Sequence, residues 1–206
     1  MDRDPLFCTY DFSAAVRGAP AKLAQAIDRL DEAQLFQSDQ DKLLGDLIDE
    51  HRINVPALDL GAVERSQREV DIDLSHDPRE QFMRDLRGPY YVKATEVSFR
   101  VPFHGDKDVF YCRPSSFSLN PPYADIESEA VVVRVVRRDQ NAEEFRKSFD
   151  STIAQIKQAL DQLRHDCVGL EDKLKNLAIT QLAKRREKRE KDRSLIDDLG
   201  FRKPSP

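Results

Sequence analysis

The chain has 206 residues, 34% of them charged and 39% hydrophobic, with a formal net charge of −5 and no tryptophan. That length allows one or two domains, the acidic balance speaks against a dedicated DNA-binding domain, and the apolar content is too high for a disordered chain. No stretch approaches the roughly 20 apolar residues of a membrane span, and the charged start Met1-Asp2-Arg3-Asp4-Pro5 is neither a signal nor a transit peptide.

The first 60 residues read as mostly helical. Ala21–Leu30 carries Leu23, Ala26, Ile27 and Leu30 at helical spacing. Pro20 sits at its start, where a missing N–H costs little. Ser38 or Asp39 caps a second helix with a stripe of Leu43, Leu44, Leu47 and Ile48, ending near His51.

Over residues 66–137 the period changes. Val70-Asp71-Ile72-Asp73-Leu74 alternates strictly, as a strand with one wet face does. Asp77-Pro78 opens a short helix holding Phe82, Met83 and Leu86, and Gly88-Pro89 closes it. Tyr90–Phe103 is the longest strand, with Val97, Phe99, Val101 and Phe103 on one face. His104–Lys107 reads as a hairpin turn and Val109–Cys112 as the return strand. Arg113–Pro122 is a loop with inward Phe117 and Leu119, and Glu129–Arg137 is a valine-rich strand. Short connections between consecutive strands imply an antiparallel sheet of four or five strands.

Residues 139–201 read as one very long helix. Asn141 caps it, with Glu144 three residues on. One heptad register places Phe149, Ile156, Leu163, Leu170 and Leu177 at d, with Ile153, Leu160, Cys167, Leu174 and Gln181 at a. Only Gln181 is polar, so the spacing predicts a coiled coil. Roughly 50 helical residues would reach about 80 Å, and the seam is expected to find a partner outside the sheet. The pattern leaves open whether this helix is straight or folds back; if it bends, Cys167-Val168-Gly169 is the expected place, since glycine weakens a helix. Beyond the seam, Lys184–Arg193 is strongly basic. Its opposite charges at i,i+4 read as a solvated helix face rather than a nucleic-acid site.

Chemistry-bearing patterns are sparse. The three cysteines form no CxxC pair and are expected as reduced thiols in a reducing cytosol. His51, His76, His104 and His165 lack ligand spacing. Asp71, Asp73, His76 and Asp77 form an acidic cluster that reads as a wet strand face and a helix cap. Ser115 and Ser116 lie in no nucleophile elbow. Tyr90, Tyr91, Lys93 and Arg113 could line a polar pocket, although strand-end packing is the plainer reading. The seven glycines are isolated, so no phosphate-cradling loop is present. No metal or cofactor is expected.

Several phrases resemble a region of multidomain bacterial proteins that precedes a C-terminal effector domain, for example one of Toll/interleukin-1-receptor type. They are Glu50-His51-Arg52 with Val55-Pro56, the segment Asp71–Asp77, Tyr90–Thr95, Pro102–Asp106, Arg113–Pro122 and Leu199–Phe201. The resemblance implies a sensing, scaffolding or oligomerising part in defence against phage. The chain stops where an effector would begin, as a stand-alone relative or a fragment of a longer protein would.

The reading is therefore an α+β protein. N-terminal helices and a small antiparallel sheet form a head over residues 1–137. A long coiled-coil helix follows over 138–201, with a tail over 202–206. The function expected is a non-enzymatic, cytoplasmic interaction module, homo-oligomeric or paired with a helical or effector protein, without a membrane. Its partner seam would be Phe149, Ile153, Ile156, Leu160, Leu163, Cys167, Leu170, Leu174 and Leu177. The alternative is nucleic-acid binding through Lys184, Arg185, Arg186, Lys188 and Arg189. A hydrolase would need His76 or His104 united with an acid and a nucleophile.

Overall fold

A computed structural model describes residues 5–75, 90–117 and 119–199. The short helix expected after Asp77, together with His76 and the tail over 202–206, lies outside them. The elements in chain order are β1 (Tyr10–Asp11), α1 (Phe12–Arg29), α2 (Glu32–Phe36), α3 (Gln40–His51), β2 (Ala57–Leu58), β3 (Glu64–Asp73), β4 (Tyr91–His104), a 3-10 turn (Lys107–Tyr111), β5 (Cys112–Arg113), β6 (Asp125–Ile126), β7 (Ala130–Arg137), α4 (Ala142–Asp166) and α5 (Leu170–Asp198). The fold is mixed α and β, with an antiparallel sheet and a long C-terminal helical stretch that is broken in the middle.

The chain divides into two compact units. One holds Met1–Tyr10 and Val55–Leu163, the other Asp11–Asn54 and Arg164–Pro206. This differs from a head over 1–137 followed by a separate rod. The helical stretch is shared, because each half of its apolar stripe is buried by different elements.

In the first unit β4 is the central strand. It pairs antiparallel with β3 from Tyr91 to Arg100 and with β2 at Phe103 and His104 on one side. On its other side it pairs with β7, which also pairs with β6. The return strand expected at Val109–Cys112 is mostly the 3-10 turn, and the long neighbours of β4 come from further along the chain in both directions. The register places Phe99 opposite Val133 and Val101 opposite Val131 on one face. On the other face Glu64 lies opposite Arg100, and Arg68 opposite Glu96. Ala130–Val133 is buried throughout, so this strand is covered on both faces. Phe103, Phe110 and Phe7 continue the core as an aromatic chain, with centroids 4.9 and 6.0 Å apart.

The first half of the seam closes onto this unit. Phe145, Ile153, Ile156, Leu160 and Leu163 of α4 are buried, and Phe149 stacks on Phe99 of β4. Asn141 caps the helix as expected, its Oδ1 accepting from the Glu143 N–H at 3.0 Å.

The second unit is helical. Asp11 accepts from the Ser13 N–H to start α1, so the helix begins a full two turns before Pro20. Pro20 therefore lies inside α1, not at its start, at the cost of one backbone hydrogen bond. Asp31 and Gln34 form a reciprocal capping box on α2, and Asp39 caps α3. Leu23, Ile27, Leu35 and Leu47 of these helices form one core with Leu170, Leu174, Ala178 and Leu182 of α5.

The seam is thus covered by the chain's own elements, and the coiled-coil geometry is not established. The break at Cys167–Gly169 is where the kink was expected, with Gly169 at φ 78°. Beyond it the buried positions repeat every four residues, 170, 174, 178 and 182. Leu177 and Gln181, the next heptad positions, are only half-buried. Four-residue ridges suit packing among short helices of a globular unit, whereas a coiled coil alternates three and four.

Candidate functional site

In the first unit, α4 and the β3–β4 half of the sheet enclose an open channel. One stretch of about 810 Å³ has Thr95, Val97 and Phe99 of β4 and Arg65 and Gln67 of β3 in its lining, facing Phe145 and Phe149 of α4. A second stretch of about 800 Å³ continues along α4 past Ile153, Ala154 and Lys157 to Asp161. Leu60, Val63, Arg146, Phe149 and Asp150 line both. Leu60 is 44% exposed there. Of the expected seam, Phe149 and Ile153 are the two side chains that reach this opening.

The outer flank of α4 carries charge in a fixed order. Arg146, Asp150, Lys157 and Asp161 are all exposed, with Ala154 between them. Arg146 and Asp150 are 3.8 Å apart within the helix, a weak surface pair.

The other candidates are dispersed. Lys93 reaches Asp71 at 3.0 Å and Glu69 at 3.3 Å, so the acidic strand face is answered by a lysine. Those carboxylates hold the Lys93 ammonium above its ordinary range, Asp71 most of all. Asp73 instead accepts from the Ser75 N–H. Arg113 lies over the Phe117 ring at 5.1 Å, and Tyr91 is exposed, so the two cations expected to share a pocket are engaged separately. Phe117 and Leu119 point outward, contrary to expectation, with Leu119 94% exposed. Ser115 accepts from the Gln162 amide at 3.4 Å. His104 lines a polar cleft of about 560 Å³ with Arg100, Ser128 and Glu129. Among the described residues no group of three His, Cys, Asp or Glu side chains is placed to hold a metal ion.

The thiols are unconnected. Burial raises the Cys167 thiol to about 11, and it raises that of Cys112 as well, with Asp108 adding to it. A thiol so raised is a poor nucleophile near neutral pH.

In the second unit, the basic tract lies partly against α2. Arg186 Nε donates to the Leu35 carbonyl at 2.9 Å. Arg193 pairs with Glu32 and lies 4.7 Å over the Phe36 ring. Lys191 bridges to Glu187 at 2.6 Å, lowering that carboxyl and raising its own ammonium. Lys184 and Lys188 are exposed, while Arg185, Arg186 and Arg189 are half-buried.

Sequence reading missed Leu60, Val63 and Arg65 in the channel. Glu64–Glu69 alternates no apolar residues, so periodicity could not reveal that β3 begins there. No helix among the described residues is long and apolar enough to cross a membrane. No protein-family model matches the chain, and neither a curated protein nor a solved structure matches it.

Proposed function

We propose that this chain is a non-enzymatic interaction module that self-associates through the open flank of α4. The observation that carries this reading is the charge order along that flank. In an antiparallel pair of α4 helices related by a two-fold axis between Ile153 and Ala154, Arg146 meets Asp161 of the second copy, and Asp150 meets its Lys157. Both contacts then occur twice, as an isologous interface requires. Ala154 at the centre lets the two backbones approach, and the flanking channel receives apolar side chains at Leu60, Val63 and Phe149. A continuous seam is not needed for this contact, since the other seam residues are satisfied within the chain. A role beside a separate effector in bacterial defence, in a cytoplasmic setting, belongs to the same proposal and rests on the resemblance alone.

The test is the mass in solution by sedimentation equilibrium. The wild-type chain is expected to exceed the monomer mass at micromolar concentrations. Asp150→Lys sets two lysines against each other and should return it to a monomer. Adding Lys157→Asp to that variant restores opposite charges across the axis and should restore the assembly. A wild-type monomer throughout, or a double variant no better than the single one, would refute the pairing.

A further inference from the structure

The inward arc of α5 changes character along its length. Leu174, Ala178 and Leu182 are buried in the helical core. Three and four residues beyond Leu182 the arc presents Arg185 and Arg186, and one turn further Arg189. Cations therefore occupy the side on which leucines would continue. These three side chains are partly withdrawn from water. Arg185 Nε, Arg189 Nε and one terminal nitrogen of Arg186, Nη2, are buried and have no hydrogen-bond partner among the described residues. Glu32 is engaged by Arg193, and Glu187 by Lys191.

A buried charged donor left unpaired costs free energy, typically more than about 1 kcal/mol. Three guanidinium groups within two turns also repel one another. An oxyanion that accepts from several N–H groups at once removes both costs. Guanidinium forks match tetrahedral oxyanions well, because Nε–H and an Nη–H can point at two oxygens of one phosphoryl group. Arg185 and Arg189 each bring an unpartnered Nε–H to such a fork, whereas Arg186 holds its Nε on the Leu35 carbonyl and offers Nη2.

We infer that Arg185, Arg186 and Arg189 form a binding site for a phosphoryl oxyanion carrying several negative charges. The site's three guanidinium groups answer the charge and oxygens of phosphate rather than a base or sugar. Its ligand is therefore either a free polyphosphate or the backbone of a nucleic acid.

Two probes separate the sources, tripolyphosphate and single-stranded oligothymidylate, each titrated calorimetrically into the full chain at low salt. Tripolyphosphate is expected to bind and to raise the thermal midpoint. In Arg185→Gln/Arg189→Gln its affinity should fall at least about tenfold, since two guanidinium groups and their charge-assisted hydrogen bonds are removed. Without anion, that variant should be at least as stable as wild type, since it relieves unpaired donors and repulsion. Its folded state thereby remains checkable. Binding by oligothymidylate alone, abolished in the same variant, would support the site and assign the backbone as its source. Lys184→Gln/Lys188→Gln removes two charges from exposed positions of the same helix and should change affinity far less. Absence of binding by both probes would overturn the inference. So would equal losses in the lysine and arginine variants, which would reduce the effect to the net charge of the tract.

Discussion

The Phe99 ring on β4 and the Phe149 ring on α4 are stacked, with centroids 4.5 Å apart and planes at 29°. This contact fixes the helix to the sheet face, and its outer edge opens into the channel. Phe149→Ala should therefore cost about 2 kcal/mol, less than a fully buried phenylalanine. Urea unfolding of the single variants and of Phe99→Ala/Phe149→Ala should give a coupling of about 1 kcal/mol. Strict additivity would show that the two rings do not hold each other.

Leu163 and Leu174 are each fully buried, one in each compact unit. Replacement of either by alanine is expected to lower stability by about 3 kcal/mol. Half-buried Leu177→Ala should cost less than half as much. The sedimented mass of the folded protein should not change in any of the three. A fall in mass at unchanged stability would mean that these leucines face another chain.

Gly169 has φ 78°, in the left-handed region, and a Cβ there would meet nothing within 4 Å. The cost of Gly169→Ala is therefore conformational, about 1 kcal/mol. Gly45 inside α3 also has open space around it. Gly45→Ala should raise stability by about 0.5–1 kcal/mol through helix propensity. Opposite shifts of the thermal midpoint check both. A stabilising Gly169→Ala would show that the break between α4 and α5 is not held in this geometry.

Asp139 accepts from Arg137 Nε and Nη2 at 2.7 and 2.9 Å. Arg137 holds this carboxyl below its ordinary range, chiefly through that hydrogen bonding. A depressed folded-state value stabilises the fold above the unfolded-state value, and the contribution is lost as pH falls through the folded one. The pair lies at the surface, where water and salt screen it, so the effect on stability is small. Carbon-13 titration should show the Asp139 midpoint below that of a reference peptide, returning toward it in Arg137→Gln. An unshifted midpoint in the wild type would dismiss the fork.

The sequence by itself determined α3 and the start of α4 with their caps, and the strand that organises the sheet; it missed α2 and the start of α1 at Phe12. Asp39 and Asn141 cap helices as their side chains dictate, and Tyr91–His104 is extended because its apolar residues alternate. The place at which the long helix could break, Cys167–Gly169, was legible because glycine weakens a helix, but that it does break there, with Gly169 at φ 78°, came from the structure. What covers the long apolar stripe was not. A heptad pattern records that one side of a helix must leave water, and this demand is identical whether a sheet, neighbouring helices or a second chain meets it. Only the tertiary structure decided that Phe99 meets Phe149, that α1–α3 cover Leu170–Leu182, and that three arginines inherit the inward arc beyond them. These partners lie far apart along the chain, and no local periodicity encodes contacts between distant segments.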